Sequence, residues 1–132
     1  MLIQEILKDN PWKMLIGCMM MNQTKAKQVR QVIFEFFEEY PDEQSVLDAD
    51  EKEMLEFLRP LGLYNRRTKN IKNFTHDWVR DKRKKDVSKL RGIGKYGLDS
   101  YEIFVRGNLN VIPTDHVLIS YLEGIKGKKT IF

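Results

Sequence analysis

The sequence predicts an all-α domain built from many short helices. Apolar residues recur at three- and four-residue spacing along most of the chain, the periodicity of a helix with one buried face. Those stretches are punctuated by capping residues and by Pro or Gly breaks, which start and stop helices. Strand-like alternation is confined to Leu109–Ile112, too short to build a sheet alone. Taken in order, Asn10 followed by Pro11 is an N-cap and first-turn pair that opens a helix through about Met21. Thr24 is positioned to cap the next, in which Val29, Val32, Ile33, Phe36 and Phe37 recur until Tyr40–Pro41 ends it. Asp50 caps Glu51–Leu58, with Met54, Leu55 and Leu58 on one face, and Pro60 with Gly62 then forces a turn. A further amphipathic helix starts near Arg66, with Ile71, Phe74, Trp78 and Val79 inward and its basic residues outward.

With 132 residues and 42% hydrophobic content, the chain is sized for one folded domain spanning residues 1–132 with a real core. No apolar run approaches the roughly 18–20 residues of a membrane span. The apolar segment Trp12–Met21 reads as a buried helix, and Met1–Lys8 lacks the pattern of a signal peptide. The single cysteine, Cys18, excludes an internal disulfide and a four-cysteine zinc or iron–sulfur site, so a reducing, intracellular setting is expected. His76 and His116 have no metal-ligand spacing. Charge is unevenly distributed. Residues 1–65 carry seven Lys/Arg and twelve Asp/Glu, whereas residues 66–132 carry sixteen and seven. Nine basic residues against two acidic ones fall within Arg66–Lys85. Such asymmetry suits either a polyanion on one side of the molecule or a solvated helix face with a lysine-rich loop.

Two stretches stand out as chemistry. In Leu90-Arg91-Gly92-Ile93-Gly94-Lys95-Tyr96-Gly97, a short helix ends near Leu90 and two glycines flank one apolar residue before an amphipathic helix carrying Leu98, Tyr101, Ile103 and Phe104. Glycines there allow a tight hairpin and close backbone approach to a ligand, and the next helix start presents unpaired N–H groups suited to a phosphate. A plain helix–turn–helix connection would use the same residues. In Val111-Ile112-Pro113-Thr114-Asp115-His116, which opens a helix through Val117, Leu118 and Tyr121, Thr114 or Asp115 is either a simple cap or a functional carboxylate site. Asp115 follows Gly94 by 21 residues, across one helix and a short connection, and the residues by themselves leave both readings open.

That order resembles the helix-hairpin-helix DNA glycosylases, and in particular the thymine DNA glycosylase domain that vertebrates fuse to a methyl-CpG-binding domain. The likeness runs from about Leu2 to Tyr121. It is carried by Gln4-Glu5, Asp9-Asn10-Pro11-Trp12-Lys13, Leu15-Ile16, Asn22, Thr24, Pro60-Leu61-Gly62-Leu63-Tyr64, Gly92 to Gly97, Asp99-Ser100-Tyr101, Ile103-Phe104, Pro113 and Asp115-His116. The resemblance implies a compact multi-helix glycosylase fold, a monomer, and double-stranded DNA with a mismatched or damaged base as substrate. It makes Asp115 the catalytic carboxylate, which stabilises positive charge on the sugar as the N-glycosidic bond breaks; the helix start that follows favours negative charge there. Tyr96 occupies the place of the Schiff-base lysine of bifunctional relatives, which implies base removal without strand cleavage. Gln4 and Tyr96 then line the base pocket, the Gln4 amide offering donor and acceptor together to a pyrimidine edge.

By the same resemblance, Leu63 matches the wedge that enters the base stack and Gln23 its gap-filling partner. Arg91, Gly92, Gly94, Lys95 and Gly97 belong to the hairpin that holds DNA. Backbone carbonyls of Ser88, Leu90 and Ile93 match ligands of a monovalent cation, Na+ or K+, and no other cofactor is expected. Two departures bear on base choice: Gln23 and Val117 stand where the thymine glycosylase has arginine and lysine. Read from its residues alone, Gln4 could instead be an exposed polar residue near a frayed terminus, and Leu63 an ordinary core leucine. His116 either orients Asp115 or merely begins its helix.

Overall fold

The computed structural model describes residues 1–81 and 86–130. The lysine-rich loop expected at Lys82–Lys85, and the part of the charge argument that rests on it, lie outside the described residues. The fold is all-α. Among the described residues the helices are α1 (Ile3–Leu7), α2 (Pro11–Met20), α3 (Ala26–Glu39), α4 (Glu43–Asp48), α5 (Glu51–Leu58), α6 (Tyr64–Arg80), α7 (Lys95–Ser100) and α8 (His116–Thr130). Short 3₁₀ turns occupy Arg59–Leu61 and Val87–Lys89, and a π turn over Tyr101–Val105 continues α7. No strand forms at Leu109–Ile112.

The apolar run of α2 is explained by its place at the centre. Asn10 accepts a bond from the Lys13 N–H at 3.2 Å and Pro11 takes the first helical position. Trp12, Met14, Leu15, Ile16, Cys18 and Met20 are all buried, so the helix is covered nearly all round. It packs against α1, α3, α6 and α7, and the Trp12 indole N–H donates to the Thr75 hydroxyl at 3.1 Å. Val29, Val32, Ile33, Phe36 and Phe37 of α3 and Met54 and Leu58 of α5 complete the main core, as their spacing predicts. Asp50 caps α5 through the Lys52 and Glu53 N–H groups. A smaller core of Ile103, Leu118 and Leu122, joined by Tyr96, Phe104 and Tyr121, seats α8 against the hairpin end of the molecule.

Four local expectations are corrected. The cap of α3 is Lys25 rather than Thr24, because the Thr24 hydroxyl is engaged by Arg67 and by the Leu61 carbonyl. Asp42 caps an additional short helix, α4. Val79 is 42% exposed, since it sits one residue past Trp78 and therefore about 100° around α6 from the buried stripe. The basic residues of α6 are not all outward. Arg67 is buried, and the Lys72 ammonium donates to the Leu47 and Ala49 carbonyls, tying α6 to the end of α4.

Candidate active site

A cleft of about 860 Å³ opens between the end of α2, the turn that precedes α6, the Gly92–Gly97 hairpin and the start of α8. Gln4, Tyr96 and Asp115 all line it, and so do Gln23, Leu63, Gly92, Gly94, Lys95 and Gly97. Gln4 and Asp115, at opposite ends of the chain, thus share one concavity.

Its inner wall is polar and closely bonded. Gln4 is 1% exposed, which removes the frayed-terminus reading. Its amide nitrogen donates to the Tyr96 hydroxyl at 2.5 Å and to the Ser100 hydroxyl at 3.2 Å. Tyr96 and Ser100 present these hydroxyls together because they stand one turn apart on α7. Burial, with Cys18 and Asp115 nearby, pushes the Tyr96 phenol well above its usual range, so it remains a neutral hydrogen-bonding group. Cys18 faces the same wall, where burial pushes its thiol up to about 12 and keeps it protonated and unreactive at neutral pH. Asp115 is half-buried, and its Oδ2 accepts the Leu118 N–H at 3.0 Å. The capping reading of Asp115 therefore holds alongside its exposure to the cleft: the helix it opens fixes the carboxylate in place. No hydrogen bond among the described residues joins His116 to it; His116 begins α8.

The mouth of the cleft carries an unusual backbone feature. Among the described residues, positive φ at a non-glycine residue occurs at Gln23 (59°) and Leu63 (48°) and nowhere else. Each such conformation costs about 1–3 kcal/mol and persists only where the surroundings impose it. Leu63 follows Gly62, itself at φ 72°, and is 45% exposed, so it is not a core leucine. Gln23 is exposed on the neighbouring turn.

The hairpin is anchored from behind. The buried Asp77 carboxylate accepts the Arg91 backbone N–H at 3.0 Å and its Nε and Nη2 at 2.9 Å each. The bonds from Arg91 hold the Asp77 carboxyl far below the usual carboxylate range. Arg91, Ser88 and Leu90 lie outside the cleft lining. Gly92 has φ 87°, a conformation that favours glycine whatever the space, and a Cβ there would also push the Met19 methyl, at 2.8 Å, aside. Gly94 differs: its φ is −105° and a Cβ would meet nothing within 4 Å. The protein itself does not demand glycine at that point, which faces open space. Lys95 places its ammonium 3.0 Å from an Asp99 oxygen and 3.2 Å from the Ile112 carbonyl, linking α7 to the segment that leads into Asp115.

Residues 16–130 match the HhH-GPD superfamily of base excision DNA repair proteins. The chain belongs to this superfamily. It is 35% identical over 126 residues to a methyl-CpG-binding domain protein 4-like protein of Arabidopsis thaliana, covering 95% of this chain and 28% of that protein. A thymine-DNA glycosylase of Aeropyrum pernix is 28% identical over 127 residues, with 92% of this chain and 56% of that protein covered. The chain thus spans little more than half, or less, of the curated relatives it matches. Among solved structures, a thermostable thymine-DNA glycosylase superposes with a TM-score of 0.68 at 23% identity, over 74% of this chain and 48% of that one. An endonuclease III trapped as a covalent intermediate with DNA superposes at 0.70 and 22% identity, over 80% and 52%. These likenesses confirm the glycosylase fold expected from the sequence.

Sequence reasoning assigned no site role to Cys18, Ser100 or Arg67. Ser100 was reachable, because it stands four residues from Tyr96 on the same helix face. Arg67 was reachable too, lying four residues before Ile71 on the stripe that continues through Phe74 and Trp78.

Proposed function

We propose that the protein is a monofunctional DNA glycosylase that extrudes a thymine or uracil opposite guanine and hydrolyses its N-glycosidic bond. The observation that carries this reading is the convergence on one cleft of the Asp115 carboxylate, the bonded Gln4–Tyr96 pair and the strained Gln23 and Leu63 turns. The names of relatives, thymine- and thymine/uracil-DNA glycosylases, agree with it.

In this mechanism an extruded pyrimidine enters the cleft against Gln4 and Tyr96, whose amide and phenol hydrogen-bond its edge. As the bond between C1′ and the base nitrogen lengthens, the electron pair leaves with the base and positive charge develops on the sugar. The Asp115 carboxylate, fixed by the Leu118 N–H, stabilises that charge and orients the water that adds to C1′. The water's proton is released as the abasic sugar forms, and the base departs protonated. Tyr96 has no amine with which to form a Schiff base. The Lys95 ammonium is paired with Asp99 and bonded to the Ile112 carbonyl, contacts that a Schiff-base role would have to give up. Leu63 fills the vacated place in the stack, with Gln23 against the orphan guanine. The hairpin meets the phosphate backbone at Gly94, where open space and the unpaired N–H groups at the start of α7 suit an oxyanion. Arg91 supports this loop through Asp77. The carbonyls of Ser88, Leu90 and Ile93 are neutral hard-oxygen donors on one short segment. They fit Na+ or K+, which would add positive charge beside the phosphate. A single domain acting as a monomer suffices for these steps.

The test is a panel of duplexes, each with one thymine, uracil or 5-hydroxymethyluracil opposite guanine or adenine, incubated with the protein and then treated with alkali. Alkali-dependent cleavage at thymine or uracil opposite guanine is expected. Asp115→Asn should lower it by about a thousandfold or more while retaining duplex binding. Cleavage only at 5-hydroxymethyluracil would reassign the base. Near-normal excision by Asp115→Asn would refute the mechanism, and no excision of any base would leave a DNA-binding module.

A further inference from the structure

Arg67 is a buried guanidinium, 5% exposed, that makes no ion pair among the described residues. Instead each of its five N–H donors has an oxygen partner. Nε donates to the Gly62 carbonyl at 2.9 Å, and Nη1 to the Met19 and Met20 carbonyls at 3.0 Å each. Nη2 donates to the Asn22 carbonyl at 2.7 Å and to the Thr24 hydroxyl. That hydroxyl lies within 3.3 Å of the Leu61 carbonyl, a second tie between the same two turns. The acceptors belong to two segments far apart in sequence: residues 19–24, which carry Gln23, and the Leu61–Gly62 turn, which sets up Leu63. These two turns hold both left-handed non-glycine residues of the described chain. A planar fork with five fixed donors can hold both turns at once, and an ammonium with three cannot.

We propose that Arg67 is a positioning residue that holds Gln23 and Leu63 together as one preorganised gap-filling unit. This rests on the base-extrusion reading above and adds to it the group that keeps the two strained turns in register. A guanidinium that only terminated α2 would need the Met19 and Met20 carbonyls alone. Its bonds to Gly62 and, through Thr24, to Leu61 join the second turn.

The experiment compares single-turnover excision of one target base opposite guanine with excision of the same base left unpaired in a bulge. It uses the full chain and the variants Arg67→Lys, Thr24→Val, Leu63→Ala and Arg67→Lys/Leu63→Ala, each with a thermal melt. Misplacing the gap-filling unit should lower the paired-to-unpaired rate ratio about tenfold in Arg67→Lys, and less in Thr24→Val. The double variant should lower it no further than the more affected single variant, because both changes disable one unit. If Arg67→Lys does not melt cooperatively, Thr24→Val, which keeps the side-chain shape and the guanidinium, decides alone. A ratio unchanged in Arg67→Lys and Thr24→Val while Leu63→Ala lowers it would overturn the positioning role and leave the wedge intact. Independent, multiplying effects in the double variant would overturn it too. A ratio unchanged in Leu63→Ala would overturn the gap-filling reading itself, and this inference with it.

Discussion

Replacing Leu63 by alanine separates a wedge from a packing residue with numbers the structure supplies. Leu63 retains 45% of its surface exposed, so slightly more than half of the side chain is covered. Full burial of a leucine stabilises by about 1.5–3 kcal/mol, and truncation of a half-covered one should cost about 1 kcal/mol. The backbone contributes no difference, since φ of 48° strains alanine as it strains leucine. For a chain of this size, that corresponds to a fall in Tm of about 3–5 °C. A core leucine would instead cost about 2–5 kcal/mol. Leu63→Gly sharpens the contrast. It removes still more side chain, but relief of the left-handed strain, about 1–3 kcal/mol, outweighs the roughly 0.5–1 kcal/mol that glycine adds in unfolded-chain entropy, so it should melt no lower than Leu63→Ala. Activity should respond differently from stability. With the wedge gone, excision of a paired target should slow about tenfold or more, equivalent to about 1.4 kcal/mol of barrier. Excision of an unpaired target should fall far less. Scanning calorimetry and single-turnover rates on the two duplexes measure both arms. A fall in Tm beyond about 8 °C for Leu63→Ala, a lower Tm still for Leu63→Gly, and equal slowing on both duplexes would refute the wedge.

Three further outcomes follow from the same geometry. Borohydride should trap no covalent adduct between the protein and substrate DNA, since Tyr96 carries no amine and the Lys95 amine is held by Asp99 and Ile112; a trapped adduct that Lys95→Ala abolishes would establish lysine chemistry. Asp77→Asn should destabilise the hairpin by about 1–3 kcal/mol at neutral pH. The folded-state pKa of Asp77 is depressed, so this advantage of the wild type should be present above the unfolded value of about 4 and shrink as pH falls below it; a Tm gap that stays constant down to pH 2 would contradict the assignment. Gln23→Arg should raise discrimination for guanine over adenine opposite the target, because a guanidinium offers charged paired donors to guanine acceptors; unchanged opposite-base preference would remove Gln23 from the orphan-base contact.

What could be read from the sequence, and what could not, has a physical division. The helices of the main core were legible because apolar periodicity reports burial directly, as in Val29 to Phe37 and Ile71 to Trp78. Asn10 and Asp50 were legible because their capping acts within three residues. Thr24 was misread as such a cap because its actual partner, Arg67, lies 43 residues away. Arg67 itself was misread because a charged residue is assigned to water by type. Its periodicity placed it inward, and the backbone carbonyls that make its burial tolerable are invisible in side-chain identities. The strain at Gln23 and Leu63 was equally hidden, since neither residue type favours positive φ. At the candidate site, the family resemblance singled out Asp115, Tyr96 and Gln4, which line one cleft, whereas the bonds joining Gln4 to Tyr96 and Ser100 required the fold.

In the proposed mechanism Asp115 is both a cap and a catalytic carboxylate, and the two descriptions do not compete. A carboxylate that is to stabilise developing charge must be held still before the reaction begins, and a helix N-terminus holds it through a backbone N–H without adding another charge. The Leu118 N–H engages Oδ2 in this way, and the helix behind it buries Leu118 and Leu122 in the smaller core, so the carboxylate is tied to packed structure rather than to a loose loop. The two demands can be taken apart chemically. Asparagine keeps an oxygen for the Leu118 N–H and caps helices about as well as aspartate, so Asp115→Asn removes the negative charge while retaining the anchor. Alanine removes both and should cost about a further 1 kcal/mol of stability. If the carboxylate acts on the reaction, the two variants lose excision alike and differ in melting temperature. Were Asp115 only a cap, Asp115→Asn would excise normally and the loss in Asp115→Ala would track its instability.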